Sequence, residues 1–362
     1  WTWERTGDRR LLQAALRAYT EHCRKYPTSD TSLATLLSPQ RPTEHGVTYN
    51  EIGKLGAILY LATGQRRYLA AAVNAYRKLD RYCMLPDGVC SSSEHLRGKD
   101  ALDSHETCDI ADYTWSLGYL LMATGRVEYA DKIERACFNA APGAVRSDFK
   151  GLQYFSCCNQ VLATATSNHN VFMRGKDWMA YAPNHEVQCC PGEVNRIMPN
   201  FAARMWMRDR CGGPVAVLYG PSRMTWRQGT VAVTIVEDTD YPVGEEIAFS
   251  VRCPRPVEFS LTLRIPGWCR DATVTINGQP LRRDCRPGTF VRIRRRFEPN
   301  DCVVLKLPMR VRLRSWPGGG VSVERGPLLF ALGIAERWHR GLVWALTGTG
   351  LIIFLYFAIG YA

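Results

Sequence analysis

Three things are missing from this sequence. No recognised nucleic-acid motif is present, so a net charge of +12 over 362 residues does not by itself point to DNA or RNA. No N-terminal signal peptide is present either. The chain opens on Trp1 instead of Met, and we expect its true start, with any targeting segment, to lie upstream. The third absence is any need for a disulfide scaffold. Fourteen cysteines is a high count, but a chain this long with 46% apolar content can bury a sizeable core, in two domains. Adjacent pairs such as Cys157-Cys158 and Cys189-Cys190 rarely bridge each other. The thiols therefore read as reduced, some of them as ligands. The basic excess lies mainly in the C-terminal half, where Arg292, Arg294 and Arg296 alternate along one face of a predicted strand. That is the pattern of a solvated face.

What is present has an order. Thr6-Gly7-Asp8-Arg9-Arg10-Leu11 recurs as Thr63-Gly64-Gln65-Arg66-Arg67-Tyr68 and again as Thr124-Gly125-Arg126-Val127-Glu128-Tyr129. In the second copy, residues 55–62 form an apolar helix end, Gly64 supplies a left-handed cap and residues 68–76 begin another helix. Helical hairpins recurring about every 60 residues predict an (α/α)6-type toroid, present only in part, over residues 1–212. Long polar connections, residues 84–105 and 141–190, interrupt it, and residues 195–206 read as a closing helix. Connections of that length are uncommon unless they are functional. From residue 213 to 334 the pattern changes to short alternating runs: 215–219, 230–236, 247–251, 259–265, 273–276, 290–293 and 303–307. Asn277-Gly278 and Pro287-Gly288 punctuate them as turns, and together they predict a β-sandwich. Residues 342–362 carry no charge and pass the length test for a hydrophobic, membrane-spanning helix. The location expected on these grounds is cytoplasmic, or membrane-associated through that C-terminal anchor. A buried apolar helix is the alternative.

The residues able to do chemistry lie in the long connections. Glu106 and Cys108 are two apart, and Cys189 and Cys190 are adjacent. One carboxylate and three thiolates satisfy the donor demands of a tetrahedral metal site, although neither pair is specific alone. His45 opens a helix that could point into the barrel, with helix capping as the plainer reading. His105 reads as a neighbour of the ligand loop. His185, just before the double cysteine, competes as ligand or base.

A series of motifs gives these residues a context. Glu94 follows a serine run, and His105-Glu106-Thr107-Cys108 comes next. Ala130-Asp131-Lys132-Ile133-Glu134-Arg135-Ala136-Cys137-Phe138-Asn139 reads as a helix. Cys189-Cys190-Pro191 precedes Asn195-Arg196. Leu263-Arg264-Ile265-Pro266-Gly267-Trp268-Cys269 and Val323-Glu324-Arg325-Gly326-Pro327-Leu328 complete the set. In this order the chain resembles glycoside hydrolase family 127, the β-L-arabinofuranosidase family. The resemblance implies a zinc-dependent retaining glycoside hydrolase acting on β-L-arabinofuranosides or related sugars. It implies Zn2+ on Glu106, Cys108, Cys189 and Cys190, with Cys189 as nucleophile and Glu94 as general acid/base. Gln153 and Tyr154 resemble a family segment near the sugar, and with His45 and His185 they make the expected substrate-binding set. A carbohydrate is the implied partner and no nucleic acid is. Two other readings stay open. One is a non-catalytic glycan-binding or membrane-attached protein with a structural zinc site. The other is a thiol-alkylating cyclase, which would require His185 as a ligand.

Overall fold

Each Thr-Gly repeat ends a helix. In the computed structural model, which describes residues 2–164 and 177–333, α1 (Thr2–Thr6), a later helix ending at Thr63 and another ending at Thr124 each stop on a left-handed glycine. A left-handed backbone places Cβ against the following carbonyl, which glycine alone avoids at no cost. Gly64 donates its N–H to the Tyr60 carbonyl at 2.7 Å, and Gly125 to Leu121 at 2.8 Å. The chain then reverses into its partner helix. The order is α2 (Arg9–Lys25), α3 (Leu33–Leu37), α4 (Gly46–Thr63), α5 (Arg66–Tyr82), α6 (Thr107–Thr124), α7 (Val127–Arg135), α8 (Ala141–Ala144) and α9 (Cys189–Ala202). A single π turn, Ala136–Ala140, joins α7 to α8.

The helix α6 is the centre of the helical part. From Thr107 to Leu121 every residue except Trp115 and Tyr119 is buried. Its sequence is accordingly apolar or small all round, as a helix surrounded by others must be. It packs against α4, α7 and α9.

The closing helix differs from its expected bounds. It begins at Cys189, six residues before the expected start, and ends at Ala202, so the double cysteine is helical and not part of the loop. Pro191-Gly192 reads as a breaker, yet a proline in the first turn forfeits only an N–H that has no intrahelical partner there. Trp206 belongs to a strand.

Four two-residue strands frame the connections between helices: β1 (Ser92–Ser93), β2 (His95–Leu96), β3 (His105–Glu106) and β4 (Phe155–Ser156). The remaining strands are β5 (Trp206–Arg208), β6 (Pro214–Ala216), β7 (Ser222–Gln228), β8 (Val231–Asp238), β9 (Glu246–Arg252), β10 (Val257–Ile265), β11 (Thr273–Ile276), β12 (Gln279–Pro280), β13 (Thr289–Phe297), β14 (Cys302–Lys306), β15 (Val311–Ser315), β16 (Val321–Arg325) and β17 (Leu328–Phe330). One sheet runs β13-β10-β6-β5 and the other β12-β11-β14-β9-β8-β7. Inward residues of both, among them Leu261, Leu263 and Ile293 from the first and Ile235, Phe249 and Leu305 from the second, share one apolar core. This is the layering of a sandwich. Asn277 and Gly278 both take positive φ and close the β11–β12 hairpin, as the Asn-Gly signal predicts. Strands β5, β7, β12, β15, β16 and β17 were not among the expected runs.

Three motifs that had no assigned chemistry meet on α7. Arg264, at the C-terminal end of β10 and fully buried, pairs with Asp131 and Glu134. Glu134 also accepts the Tyr219 N–H at 3.0 Å and the Tyr241 hydroxyl at 2.6 Å. Asp131 accepts the Gly267 N–H at 2.8 Å. Arg135 pairs with Glu324 at 2.7 Å, while Asn139 in the π turn donates to the Pro327 carbonyl at 2.9 Å. Burial would push the guanidinium of Arg264 down, but Glu134 and Asp131 raise it further still, so it remains charged.

Residues 1–329 form one compact unit and 330–362 a second. The hydrophobic stretch 342–362 lies outside the described residues. Among the described residues no helix is long and apolar enough to cross a membrane.

Candidate active site

Three helices begin at one place. His45 is the N-cap of α4, Glu106 the N-cap of α6, and Cys189 the first residue of α9. The helices pack side by side, so their positive N-terminal ends converge. Such a position favours thiolate over thiol and carboxylate over carboxylic acid.

Glu106, Cys108, Cys189 and Cys190 each bring one donor atom to within 4.8 Å of the others. Cys108 Sγ lies 3.3 Å from Cys190 Sγ, and Cys189 Sγ lies 4.0 Å from Cys190 Sγ. Glu106 Oε1 is 3.4 Å from Cys189 Sγ and 3.6 Å from Cys190 Sγ. Glu106 Oε2 is buried without a hydrogen-bond partner among the described residues. An orphaned buried carboxylate oxygen is costly unless something positive meets it. A tetrahedral zinc with bonds of about 2.3 Å holds its sulfurs about 3.8 Å apart, so the donor set fits such an ion.

The charges within the set are uneven. Hydrogen bonds from Cys108 and then Cys190 push the Cys189 thiol down to about 2. The same contact with Cys189 raises Cys108, and burial raises Cys190. Burial, then Asp109 and Glu94, hold the Glu106 carboxyl well above its ordinary range. Cys189 is the exposed member of the three thiols.

Glu94 sits at the apex between β1 and β2 with φ of +65°. A left-handed glutamate is strained, and such strain collects at working sites. Its Oε2 lies 2.9 Å from His45 Nε2, and its Oε1 accepts the Tyr154 hydroxyl at 3.0 Å. That hydroxyl is also 3.1 Å from Cys189 Sγ. The carboxylate and the thiol thus share one phenol oxygen as a neighbour, which places them no more than about 6 Å apart. The hydrogen bond to Glu94 raises the His45 pKa against the opposing effect of burial. His45 Nδ1 meanwhile caps α4 by accepting the Thr48 N–H at 3.3 Å. The capping role and the site role are thus both filled by one ring.

The other expected residues stand behind this centre. Gln153 is buried and donates to Gln160 at 2.9 Å and to the Met179 carbonyl at 2.7 Å. His185 is buried, bonded to the Leu152 carbonyl at 3.0 Å and packed against the rings of Tyr154 and Trp178. It is not brought into the four-residue donor set. His105 pairs with Asp87 at 2.7 Å and steadies the strand that carries Glu106.

A supporting network was not foreseen. Asp109, fully buried, accepts the Ser92 hydroxyl and the Asn50 amide, the latter at 3.0 Å. Ser92 in turn accepts the Glu106 N–H at 3.4 Å. A side chain on Gly46 would lie 2.8 Å from Ser92 Cβ and 2.9 Å from Asp109 Oδ1, so the start of α4 must be glycine for these parts to close. The available signal was Asp109 next to Cys108, one of two acidic residues on α6.

Fold and site together define a protein of helical hairpins and packed β-sheets with a thiol-rich, metal-capable centre. The family model for the catalytic domain of GH127 beta-L-arabinofuranosidases matches residues 1–203, and the GH127 middle-domain model matches residues 215–309. The chain belongs to glycoside hydrolase family 127. The non-reducing end beta-L-arabinofuranosidase of Bifidobacterium longum subsp. longum is 26% identical over 261 residues, which cover 67% of this chain and 38% of that protein. The crystal structure of Ara127N-Se, a GH127 beta-L-arabinofuranosidase from Geobacillus stearothermophilus T6, matches with a TM-score of 0.71 and 24% identity over 82% of this chain and 48% of that one. A further structure, of a glycoside hydrolase, matches with a TM-score of 0.78 and 20% identity over 91% of this chain and 58% of that one. The chain therefore spans about half the length of these relatives, or less.

Proposed function

We propose that this chain is a retaining glycoside hydrolase that uses Cys189 as nucleophile and Glu94 as general acid/base. Its substrates would be β-L-arabinofuranosides or closely related sugars, the class named for its relatives. One observation carries the reading. A single hydroxyl, that of Tyr154, lies within hydrogen-bond distance of both Glu94 and Cys189, residues 95 positions apart in the chain.

The chemistry follows from the placement. The Cys189 thiolate attacks the anomeric carbon as Glu94 gives its proton to the departing glycosidic oxygen. Glu94, now a carboxylate, takes a proton from water, and the hydroxide so formed displaces Cys189 from the sugar. His45 and Tyr154 fix the two Glu94 oxygens throughout. Zn2+ held by Glu106, Cys108, Cys189 and Cys190 would supply the positive charge that keeps the thiols deprotonated at neutral pH.

Release of the phenol from an aryl β-L-arabinofuranoside by the zinc-loaded chain is the direct test. Saturable release that disappears in Cys189→Ser is the expected outcome. Stoichiometric zinc without any sugar release would instead favour a glycan-binding protein with a structural metal.

A further inference from the structure

A cavity of about 410 Å³ lies between α7, the turn after β10 and the β15–β16 hairpin. That is within the range of small-molecule sites. Its walls are held by the junction described above, since Asp131 is engaged by Arg264 and Gly267, and Glu324 by Arg135. Lys132, also on the wall, is paired with Asp80. The two remaining cations, Arg312 and Arg314, are not committed in this way. They sit two apart on β15 and so share one face of the strand, about 7 Å from each other. Neither makes an ion pair with a carboxylate among the described residues: Arg312 lies opposite Glu324 in the β15–β16 ladder, but Glu324 is paired with Arg135, and Arg314 stacks on Trp316, 4.8 Å from the ring centre. On β13, by contrast, Arg292, Arg294 and Arg295 each have an acidic partner.

Trp268 supplies a flat aromatic wall beside these cations. Its indole N–H is buried and meets no acceptor among the described residues. An aromatic face takes the C–H side of a sugar ring, and a guanidinium pair takes a carboxylate. We propose that this cavity binds a carboxylate-bearing saccharide, with Trp268 against the ring and Arg312 and Arg314 on the carboxylate. It would be a site separate from the Cys189 centre, since none of the cavity's lining residues belongs to that centre. The saccharide half of this inference rests on the proposed function, whereas the anionic half rests on the arginines alone.

Calorimetric titration of the zinc-loaded 362-residue chain with trigalacturonate, a neutral trisaccharide and inorganic phosphate tests it without needing turnover. Saturable binding of trigalacturonate, at least tenfold weaker in the R312A/R314A double variant, is the expected result. Both arginines are exposed, so that variant should melt like the parent. Three results would each overturn the proposal: no binding of trigalacturonate, equal binding by the double variant, or binding of phosphate or the neutral sugar as tight as that of trigalacturonate. A chain that binds trigalacturonate yet hydrolyses no arabinofuranoside would sink the catalytic reading and leave this one standing.

Discussion

Two clusters of buried charge can be set side by side. At the junction, Arg264, Asp131 and Glu134 are buried together, and every charge has an opposite partner or a hydrogen bond. At the N-termini of α4, α6 and α9, Glu106 is equally buried, but its Oε2 makes no hydrogen bond among the described residues, with His45 Nε2 4.0 Å away, and two thiols crowd its other oxygen. The first cluster is complete in the protein alone. The second leaves a buried carboxyl oxygen without a hydrogen bond among the described residues, beside thiols whose donor atoms could hold a metal ion. Buried charge that is satisfied holds parts together, whereas buried charge left unsatisfied marks where something else must bind.

The comparison can be broken most severely at Glu94. Glu94→Gln should lower turnover of a poor-leaving-group arabinofuranoside by about 10²–10⁴-fold, and less for an activated aryl glycoside. Equal losses on both substrates would remove Glu94 from the acid role.

The two buried glutamates should then part company. Glu134→Ala removes one of the two carboxylates that face the buried Arg264, together with the acceptor of the Tyr241 hydroxyl and the Tyr219 N–H, and should cost about 3–5 kcal/mol in urea unfolding. Glu106→Ala removes a carboxyl group whose close contacts are to the Cys189 and Cys190 thiols, at 3.4 and 3.6 Å. It should shift metal-free stability by no more than about 1 kcal/mol while abolishing stoichiometric zinc binding. Similar destabilisation by both substitutions would erase the distinction.

Smaller effects sharpen the picture. Tyr154→Phe keeps the ring packed on Trp178 but removes the hydroxyl shared by Glu94 and Cys189. We expect kcat to fall about tenfold, the equivalent of one hydrogen bond, with zinc content unchanged. A third buried carboxyl, Glu237, is pushed by burial up to about 8. The folded chain then holds a proton that the unfolded chain loses near 4.5, so this residue's contribution falls as pH rises from 4.5 towards 8 and is level above. Glu237→Gln should flatten that part of the stability curve, and an unchanged slope would refute the assignment.

The sequence made some of this legible and hid the rest for physical reasons. The Thr-Gly repeats showed where helices reverse, because the left-handed cap is a local requirement. The Asn-Gly turn was visible on the same ground. The four metal-capable residues emerged as two local pairs, and only the family resemblance joined them. The α9 start was placed six residues late, since Pro191 lies in the first turn, where a proline costs the helix no hydrogen bond. The bridge from Glu94 through Tyr154 to Cys189, and the seat of Asp109 against Gly46, depend on loops meeting in space. No spacing along the chain encodes them. Arg264 could not be read either, since an arginine within an apolar strand declares itself only once Asp131 and Glu134 are found opposite.

The central claim is that Cys189 forms a bond to the sugar. Intact-mass measurement and peptide mapping of the zinc-loaded chain after treatment with a slowly hydrolysed arabinofuranoside test it most directly. The account predicts a single pentosyl adduct on the peptide carrying Cys189, absent in Cys189→Ser. Substrate turnover with no adduct on trapping, or an adduct on a carboxylate, would contradict it.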